Sequence, residues 1–288
     1  GVKYGVKPGS YTHMTEFFGP LLGVMRAENL DHAIELVNQT GYGLTSGIES
    51  LDSREQEKWK SKIKAGNLYI NRGTTGAIVL RQPFGGMGKS ALGAGIKVGG
   101  PNYVSQFMDF TEVAEPPIGA IEKESYLLRL AQEWNLEVAW GKHQPFKDDL
   151  KKTVRAIKSY IYNYEQEFSK EKDYFHLRGQ DNILRYLPGG KVLVRIHEDD
   201  TLFEILARIA AAKISGCSPV VSIPTGLEND QIAFLIGKEG RRLLGDTPVL
   251  RQTDEEVAGY IPKVERIRYA AAGRVPPVVF ESAARTGF

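Results

Sequence analysis

The stretch Gln82–Ser90 contains the residue types of a phosphate-binding loop. Its end, Gly88–Ser90, matches the last three positions of the nucleotide-binding pattern G-x-x-x-x-G-K-[ST]. The overlapping stretch Gly86–Ala91 also fits the dinucleotide-binding pattern G-x-G-x-x-G/A. In either pattern, glycines let successive backbone amides point at phosphate oxygens. The first question about this chain is therefore whether a phosphate binds here.

The residues around these glycines argue against phosphate binding. The first glycine of the nucleotide pattern is replaced by Pro83, which has no amide hydrogen and a fixed φ. The dinucleotide pattern needs a helix directly after its glycines, and the four glycines between residues 93 and 100 disfavour one. A phosphate-binding module is thus the least favoured interpretation of the chain.

The single cysteine, Cys217, lacks the surroundings of a catalytic thiol. It follows Gly216, a predicted helix stop, and precedes a strand that is predicted to be buried, with no histidine close to it in sequence. One cysteine also excludes an intramolecular disulfide framework and a cysteine-rich metal site. We interpret Cys217 as a structural residue and predict no metal site.

Composition and charge are those of an ordinary globular protein. The 288 residues are 42% hydrophobic and 25% charged, enough for roughly two domains of about 150 residues. The net charge of +2 gives no signature of binding to nucleic acid, and no apolar run reaches the roughly 18 residues of a membrane span. The single cysteine suits a reducing compartment, and we predict a cytoplasmic protein. The first residue is Gly1 rather than methionine, which indicates a piece of a longer protein.

The first segment is predicted to mix helices with extended stretches. Its predicted elements are a helix at 30–38 capped by Asn29, a helix from a Ser53/Gln56 capping box to Gly66, a strand at 67–71 and an extended stretch at 76–80. The first helix places Leu30, Ile34 and Val37 on one face. We expect that face to be buried.

The second segment begins after the break at 115–119 and is predicted to be helical. Its helices are predicted at 121–137 and 147–172. The second helix carries an apolar stripe at helical spacing, whose members are Leu150, Val154, Ile157, Ile161, Tyr164 and Phe168. The stripe is expected to pack against a partner, while the Lys- and Glu-rich side faces solvent.

The third segment, from about residue 181, has the order strand, capped helix, glycine, strand. These elements are the strand Lys191–Arg195, the helix 201–215 with Thr201 and Glu204 as its cap, the stop at Gly216 and the strand Pro219–Pro224. That order within about 34 residues predicts a βαβ unit in a parallel sheet. A further helix is predicted at 229–244.

Four motifs in the first segment resemble those of aldehyde dehydrogenases. Glu16–Pro20 and Tyr42–Gly47 resemble the family's E-x-F-G-P and Y-G-L-[TS]-x-G runs. Gly66–Asn71 and Pro83–Gly86 are similar to its G-x-x-x-x-N and P-F-G-G motifs. Because the four occur in one order over about 75 residues, the resemblance is specific.

Two further stretches narrow the resemblance. Residues 71–86 and 99–103 are similar to Δ1-pyrroline-5-carboxylate (glutamate γ-semialdehyde) dehydrogenases, above all to the dehydrogenase half of bifunctional proline utilization A proteins. The resemblance implies an α/β fold in three parts. Residues 1–112 would be the C-terminal part of an aldehyde dehydrogenase catalytic domain, 113–180 a helical connector, and 181–288 a degenerate Rossmann-like domain without catalytic function.

The resemblance implies five binding residues. Glu16 matches the family residue that accepts hydrogen bonds from the nicotinamide ribose, and Phe18 the one that packs near the nicotinamide ring. Gly76 and Ala77 match the loop that anchors the substrate α-carboxylate, which exposed backbone amides can hold by charge-assisted hydrogen bonds. Phe84 would line the aldehyde pocket. The alternative for the Gly76–Ala77 pair is a plain turn that needs glycine at positive φ.

The resemblance also implies a reaction and what this chain lacks for it. The intact enzyme would oxidise glutamate γ-semialdehyde to glutamate with NAD, and a bifunctional parent would carry FAD in a proline dehydrogenase half. The family's thiolate nucleophile lies upstream of E-x-F-G-P, so the chain holds no catalytic residue and is expected to be inactive alone. Its expected partners are the missing N-terminal part of the same polypeptide and further copies of itself, as a homo-oligomer. The alternative is a non-catalytic assembly module.

The third segment resembles the family's cofactor domain with two departures. Its stretch before Pro224 is similar to the family run A-x-x-x-G-N-x-V-x-x-K-P, but Ile223 replaces the lysine that binds the adenine ribose, and Cys217 replaces the asparagine. The loss of that lysine argues against NAD binding in this segment. We therefore expect residues 181–288 to serve structure, as a cover for the active site or a support for assembly.

Overall fold

The computed structural model describes residues 1–76, 78–91, 96–111 and 118–286. The chain divides into two compact units. Unit 1 is Gly1–Phe110 with Asp173–Asn182, and unit 2 is Thr111–Lys172 with Ile183–Phe288. The three-part division at residues 112 and 180 stays a prediction.

Unit 1 is built from short elements. They are β1 (Val2–Tyr4), α1 (Tyr11–Met14), β2 (Leu22–Val24), α2 (Leu30–Gln39), β3 (Tyr42–Gly43), β4 (Thr45–Ile48), α3 (Ser53–Lys62), β5 (Asn67–Ile70), β6 (Met87–Gly88) and a 3₁₀ turn (Val104–Phe107). The strands β1 and β2 pair in parallel, as do β4 and β5, whereas β3 and β6 pair antiparallel. Each pair forms a sheet of only two strands.

Helix α2 confirms the predicted helix and its cap. The Asn29 side chain accepts a hydrogen bond from the backbone N–H of His32 at 3.0 Å. Ile34 is buried in a cluster with Trp59 of α3, and Leu30 packs against that cluster. The prediction that this face is buried was wrong at Val37, which is 45% exposed. The small cluster between α2 and α3 covers only part of the apolar face of α2.

The next helix begins at Ser53 as predicted, but its predicted cap and its predicted end were wrong. The cap of α3 is Asp52 rather than Ser53, and its carboxylate accepts from the N–H of Arg54 at 2.8 Å. The helix ends at Lys62, well before Gly66. Gly66 is required for a different reason, since a Cβ there would lie 1.7 Å from the carbonyl oxygen of Gly85.

The strand predicted at 67–71 is confirmed as β5, but the extended stretch at 76–80 was wrong. Among the described residues of that stretch, Ile78 forms an isolated antiparallel bridge with Gln82, whereas Val79 and Leu80 form a turn in which Leu80 has a left-handed φ of +58°. Strand-like pairing in the described part of this stretch is thus limited to one bridge.

Unit 2 holds the longer elements. They are α4 (Tyr126–Ala139), α5 (Lys147–Asn163), β9 (Lys191–Arg195), α6 (Leu202–Ile214), β10 (Ser218–Pro224), α7 (Asp230–Ile236), α8 (Lys238–Leu244), β11 (Val249–Gln252), α9 (Asp254–Tyr260), β12 (Arg266–Arg268) and α10 (Pro277–Thr286). Shorter pieces are 3₁₀ turns at Gln144–Phe146, Ile261–Lys263 and Ala272–Arg274, and a π turn at Tyr164–Phe168. The two-residue strands β7 (Lys172–Asp173) and β8 (Ile183–Leu184) fall where the chain passes between units.

The sheet of unit 2 confirms the predicted βαβ unit. Its four strands are parallel in the order β11-β10-β9-β12, so the strand order reverses between β9 and β12. One core cluster includes Val194, Leu206 and Val221, and a second includes Leu193 and Val257. Because neighbouring strand residues enter different clusters, both faces of the sheet are covered, as in doubly wound α/β folds.

The capped helix and its stop are confirmed in α6. Thr201 and Glu204 form the full capping box, and Gly216 has φ of +75°. The single helix predicted at 229–244 was wrong, because Gly237 is extended and separates α7 from α8. Close packing enforces the break: a Cβ on Gly240 would lie 2.1 Å from the carbonyl oxygen of Leu235.

The two long helices of unit 2 share a core with the sheet. Trp134 of α4 and Ile157 of α5 are fully buried in the same cluster as Ile209 of α6. The first four members of the predicted stripe are buried, but Phe168 is 41% exposed. The predicted helix at 147–172 was too long, since α5 ends at Asn163 and continues only as the π turn.

Candidate functional site

The motif Pro83–Gly86 is held in place by the first residue of β5. The Asn67 side chain donates to the carbonyl oxygen of Pro83 at 2.9 Å and accepts from the N–H of Gly85 at 3.1 Å. A side-chain amide that both donates to and accepts from backbone groups makes the hydrogen bonds that a neighbouring strand would otherwise make. The motif is thereby fixed on both sides of Phe84.

A lysine that sequence reasoning missed completes this clamp. The Lys97 ammonium donates to the carbonyl oxygens of Gly66 and Gly85, the latter at 2.9 Å, and lies 3.3 Å from Asn67 Oδ1. Burial lowers its pKa to about 8, because no carboxylate among the described residues pairs with it. A single lysine in a glycine-rich loop carries no sequence signal for such a role.

Phe84 lies between this clamp and a neighbouring strand-like segment. Its N–H donates to the carbonyl oxygen of Val98 at 3.0 Å, and it accepts from the N–H of Val98 at 2.9 Å. The side chain is half-buried, whereas Pro83 is buried. The backbone that carries the Phe84 ring is therefore fixed by hydrogen bonds to the backbone of Val98 and, at Pro83 and Gly85, to the side chain of Asn67.

Gly76 lies in an exposed turn beside the same motif. Its φ of +114° is accessible only to glycine without strain. Its carbonyl oxygen accepts from the Tyr69 hydroxyl at 3.1 Å, and from the Gln82 amide at 3.0 Å in the orientation that also lets Gln82 accept from Arg72. Among the described residues, nothing accepts a hydrogen bond from its N–H. Ala77 lies outside the described residues.

Glu16 and Phe18 lie in a separate part of unit 1. Both are on the extended stretch after α1 and both are exposed, Phe18 by 94%. Phe18 has a left-handed φ of +47°. No hydrogen bond, ion pair or ring contact within the described ranges joins these two residues to Gly76 or Phe84.

The lysine of the phosphate-loop pattern has other contacts. Lys89 donates to the carbonyl oxygen of Thr40 at 3.0 Å and lies over the Tyr42 ring, 5.1 Å from its centre. The residues before it, Met87 and Gly88, form β6, and a turn follows at Lys89 and Ser90. This strand and turn differ from the glycine loop and helix that either phosphate pattern requires.

Comparison with known proteins agrees with these motifs. Residues 1–113 match the model of the aldehyde dehydrogenase family. This part of the chain is therefore similar to aldehyde dehydrogenases. The 1-pyrroline-5-carboxylate dehydrogenase of Geobacillus sp. (strain WCH70) is 43% identical over 110 residues, which is 38% of this chain and 21% of that protein. 1-Pyrroline-5-carboxylate dehydrogenase 2 of Halalkalibacterium halodurans is 41% identical over 110 residues, which is again 38% of this chain and 21% of that protein.

The similarity to a solved structure extends beyond residues 1–113. Proline utilization A from Corynebacterium freiburgense covers 87% of this chain at 33% identity, with a TM-score of 0.64. The match spans 24% of that protein, and the curated relatives above are matched over about a fifth of their length. The family resemblance and the α/β fold class predicted from the sequence are confirmed.

In the sheet of unit 2, the crevice where a doubly wound sheet binds ligands is filled by side chains. In such folds the ligand lies at the carboxyl ends of the strands where their order reverses, here between β9 and β12. Arg208 donates there to the carbonyl oxygens of Arg195 (2.8 Å) and Arg268 (3.2 Å). It also pairs with the fully buried carboxylate of Asp200. The crevice is therefore closed by an internal ion pair.

The two residues that depart from the cofactor-domain pattern, Ile223 and Cys217, both have structural contacts in this unit. Ile223 is fully buried within β10. Cys217 is partly buried, and its sulfur accepts from the N–H of Gly189 at 3.3 Å.

Within the described residues, no helix is long and apolar enough to cross a membrane.

Proposed function

We propose that this chain is the C-terminal portion of an NAD-dependent L-glutamate γ-semialdehyde dehydrogenase of the proline utilization A type. The observation that carries the proposal is the match to proline utilization A, since it extends over 87% of the chain, at 33% identity, and so includes most of both units. The 43% identity to a 1-pyrroline-5-carboxylate dehydrogenase over 110 residues supports the choice of substrate.

The substrate carboxylate would be held by the turn at Gly76 and Ala77. The N–H of Gly76 faces no acceptor among the described residues, and its carbonyl oxygen is already fixed by Tyr69. An exposed amide on a fixed turn suits a carboxylate, because charge-assisted hydrogen bonds are short and strong. Phe84, fixed by its own ladder, would then line the pocket for the aliphatic part of the semialdehyde.

The cofactor would be contacted by Glu16 and Phe18. The Glu16 carboxylate is exposed and can accept from both hydroxyls of a ribose, and the exposed ring of Phe18 offers a flat apolar surface to the nicotinamide. When bound, NAD accepts the hydride from the substrate. If the parent is bifunctional, FAD belongs to a proline dehydrogenase half outside this chain.

The nucleophile and the water-activating carboxylate would come from the part of the polypeptide that precedes residue 1. The chemistry consists of thiolate attack on the aldehyde, hydride removal and release of the acid by an activated water. Cys217 does not fit the first step, since it is partly buried against Gly189 in the other unit.

Unit 1 has the surfaces that such a preceding segment would cover. Its parallel strand pairs have two strands each, whereas parallel sheets are stable when larger and covered on both faces. Large apolar side chains are exposed on it, among them Tyr4, Phe17, Phe18, Leu22, Val79 and Phe107. We propose that the preceding part of the catalytic domain packs here, in a cytoplasmic homo-oligomer.

The test compares the 288-residue chain with the complete protein. Glutamate γ-semialdehyde and NAD are added to each, and NADH formation is followed. We expect steady NADH production by the complete protein and none by the chain alone. Activity of the chain alone would overturn the assignment of the nucleophile, and failure of the complete protein to use this semialdehyde would overturn the substrate.

The second candidate function is a non-catalytic assembly module. The closed crevice of unit 2 favours it, because Arg208 occupies the place where a cofactor would lie. Deleting residues 113–288 from the complete protein tests this candidate. Normal activity combined with loss of the native oligomer would support it, whereas loss of activity with an unchanged oligomer would contradict it.

A further inference from the structure

Three metal-ligating side chains from separate elements of unit 2 converge near the start of α8. Glu137 lies in the last turn of α4, His143 follows that helix, and Glu239 lies in the first turn of α8. Their carboxylate and imidazole ligand atoms all lie within 4.8 Å of one another. The side chains are only 16%, 19% and 21% exposed, respectively.

The spacing of the first two ligand atoms suits a tetrahedral ion. His143 Nε2 lies 3.2 Å from Glu137 Oε2. Zinc bonds of roughly 2.0–2.1 Å to nitrogen and oxygen at the tetrahedral angle place two ligand atoms about 3.3 Å apart. Glu239, whose ligand atom lies within 4.8 Å of the other two, would complete three protein ligands and leave the fourth position for water.

The electrostatics of the cluster favour a dication. Arg242 pairs with Glu137 at 3.3 Å and with Glu239 at 2.6 Å, and also pairs with Glu133. Three carboxylates thus share one guanidinium, but Glu133 is 58% exposed, so the two largely buried carboxylates leave one negative charge unbalanced when the imidazole is neutral. Burying unbalanced charge is costly, and a bound cation would offset it.

A buried hydrogen-bond donor lies beside the cluster. The indole of Trp134 is fully buried, and its N–H has no acceptor within hydrogen-bond range. It is directed at the Glu239 carboxylate. Metal-bound carboxylates commonly accept such a second hydrogen bond.

The surroundings also suit an imidazole ligand. The His143 ring meets Phe234 edge-on at 5.7 Å, and Phe146 packs on the same phenylalanine at 5.5 Å. This aromatic wall fixes the ring and excludes water from one side, which strengthens the interaction of charges with an ion.

We propose that Glu137, His143 and Glu239 form a binding site for a divalent transition-metal ion, with Zn²⁺ the best-matched ion. The site is independent of the dehydrogenase assignment. Imidazole and carboxylate together suit zinc better than magnesium or calcium, which prefer oxygen ligands alone. The bound ion would tie α4 to α8 and would stabilise unit 2 by mass action.

The experiment is calorimetric titration of the metal-free 288-residue chain with Zn²⁺, accompanied by the visible spectrum with Co²⁺. We expect one ion per chain and tetrahedral cobalt bands without a sulfur charge-transfer band, since Cys217 takes no part. His143→Gln and Glu137→Gln should each weaken binding at least about 10-fold. His197→Gln is the matched control, because His197 also faces a carboxylate, Asp199 at 3.5 Å, and should leave the affinity unchanged.

Arg242→Met separates a metal site from a plain ionic network. Removing a fixed positive charge beside the ion should tighten Zn²⁺ binding at least about 10-fold. The proposal is overturned if the wild-type chain binds no Zn²⁺, if both ligand variants bind as the wild type does, or if Arg242→Met binds no more tightly. Two ligand variants on different elements keep the test valid if one of them fails to fold.

Discussion

The ammonium of Lys97 donates a hydrogen bond to the carbonyl oxygen of Gly85 at 2.9 Å, one residue after Phe84. The same ammonium bonds the carbonyl oxygen of Gly66, so one side chain joins the entry to β5 with the Pro83–Gly86 motif. The backbones of Gly66 and Gly85 are too close for any side chain between them. Lys97 supplies the donors that these crowded carbonyl groups would otherwise lack.

The first prediction is that Lys97→Met destabilises unit 1. Methionine keeps the apolar stem but leaves two carbonyl groups without their donor, and unsatisfied buried acceptors cost about 1–3 kcal/mol each. We expect the free energy of unfolding to fall by about 1–3 kcal/mol in total, since the buried positive charge is removed as well. Lys64→Met, at an exposed lysine of the same unit, should change it by less than about 0.5 kcal/mol. Denaturant unfolding of the wild type and the two variants measures both changes in unfolding free energy. Equal stability of the two variants would contradict a stabilising role of the Lys97 hydrogen bonds.

The second prediction concerns pH and follows from the pKa of about 8 at Lys97. The pKa of this group is lower in the folded chain than the 10.5 of an ordinary lysine, so between these values the unfolded chain binds more protons than the folded chain. Stability from this group therefore rises as pH increases from 8 towards 10.5. We expect the difference in unfolding free energy between wild type and Lys97→Met to grow between pH 7.5 and 9.5. A difference that is constant or shrinks over that range would show that the ammonium is not buried.

The third prediction compares two leucines on α4. Leu130 is 1% exposed in the core shared with the sheet, whereas Leu136 is 49% exposed. Leu130→Ala should cost about 2–5 kcal/mol through the lost burial and the cavity, and Leu136→Ala less than about 0.5 kcal/mol. Because leucine and alanine have similar helix propensities, the pair isolates packing. Thermal and denaturant unfolding of unit 2 gives the comparison, and similar losses for both variants would mean that α4 does not share the core of the sheet.

The elements predicted well from sequence are those whose signals are local. Thr201 and Glu204 form their capping box, Gly216 ends α6 at positive φ, and β9 has the predicted bounds Lys191–Arg195. Each depends on neighbours within a few residues, so spacing alone is sufficient. The parallel pairing of β9 with β10 followed from the helix between them.

The failures are positions where distant contacts decide. Gly66 has the composition of a helix end, but it is needed where Gly85 approaches it from elsewhere in the chain. Gly237 divides one amphipathic pattern into α7 and α8, because Gly240 packs on Leu235. Lys97 is a further example, since its three partners lie at least 12 residues away in sequence.

The candidate site was predicted through family motifs and only in part through physical patterns. The structure describes Gly76 and Phe84 in one hydrogen-bonded framework, but that framework depends on Asn67 and Lys97, which no motif marked as functional. The roles of Glu16 and Phe18 remain predictions, because the groups that they would contact lie outside this chain. Sequence motifs indicated which residues bind, but the hydrogen bonds of Asn67 and Lys97 that hold these residues in place could be found only in the structure.

The fourth prediction tests the ion pair that closes the crevice of unit 2. Asp200 is fully buried and pairs with Arg208, which bonds the last carbonyl groups of β9 and β12. Asp200→Asn removes the charge at nearly constant volume and leaves the largely buried guanidinium without it, which should cost about 3–5 kcal/mol. Asp199→Asn is the matched control, since its side chain is 71% exposed and its expected cost is below about 0.5 kcal/mol. Unfolding free energies of the two variants decide the matter: a small cost at position 200 would mean that the bonds to the strand carbonyl groups hold Arg208 in the crevice without the carboxylate.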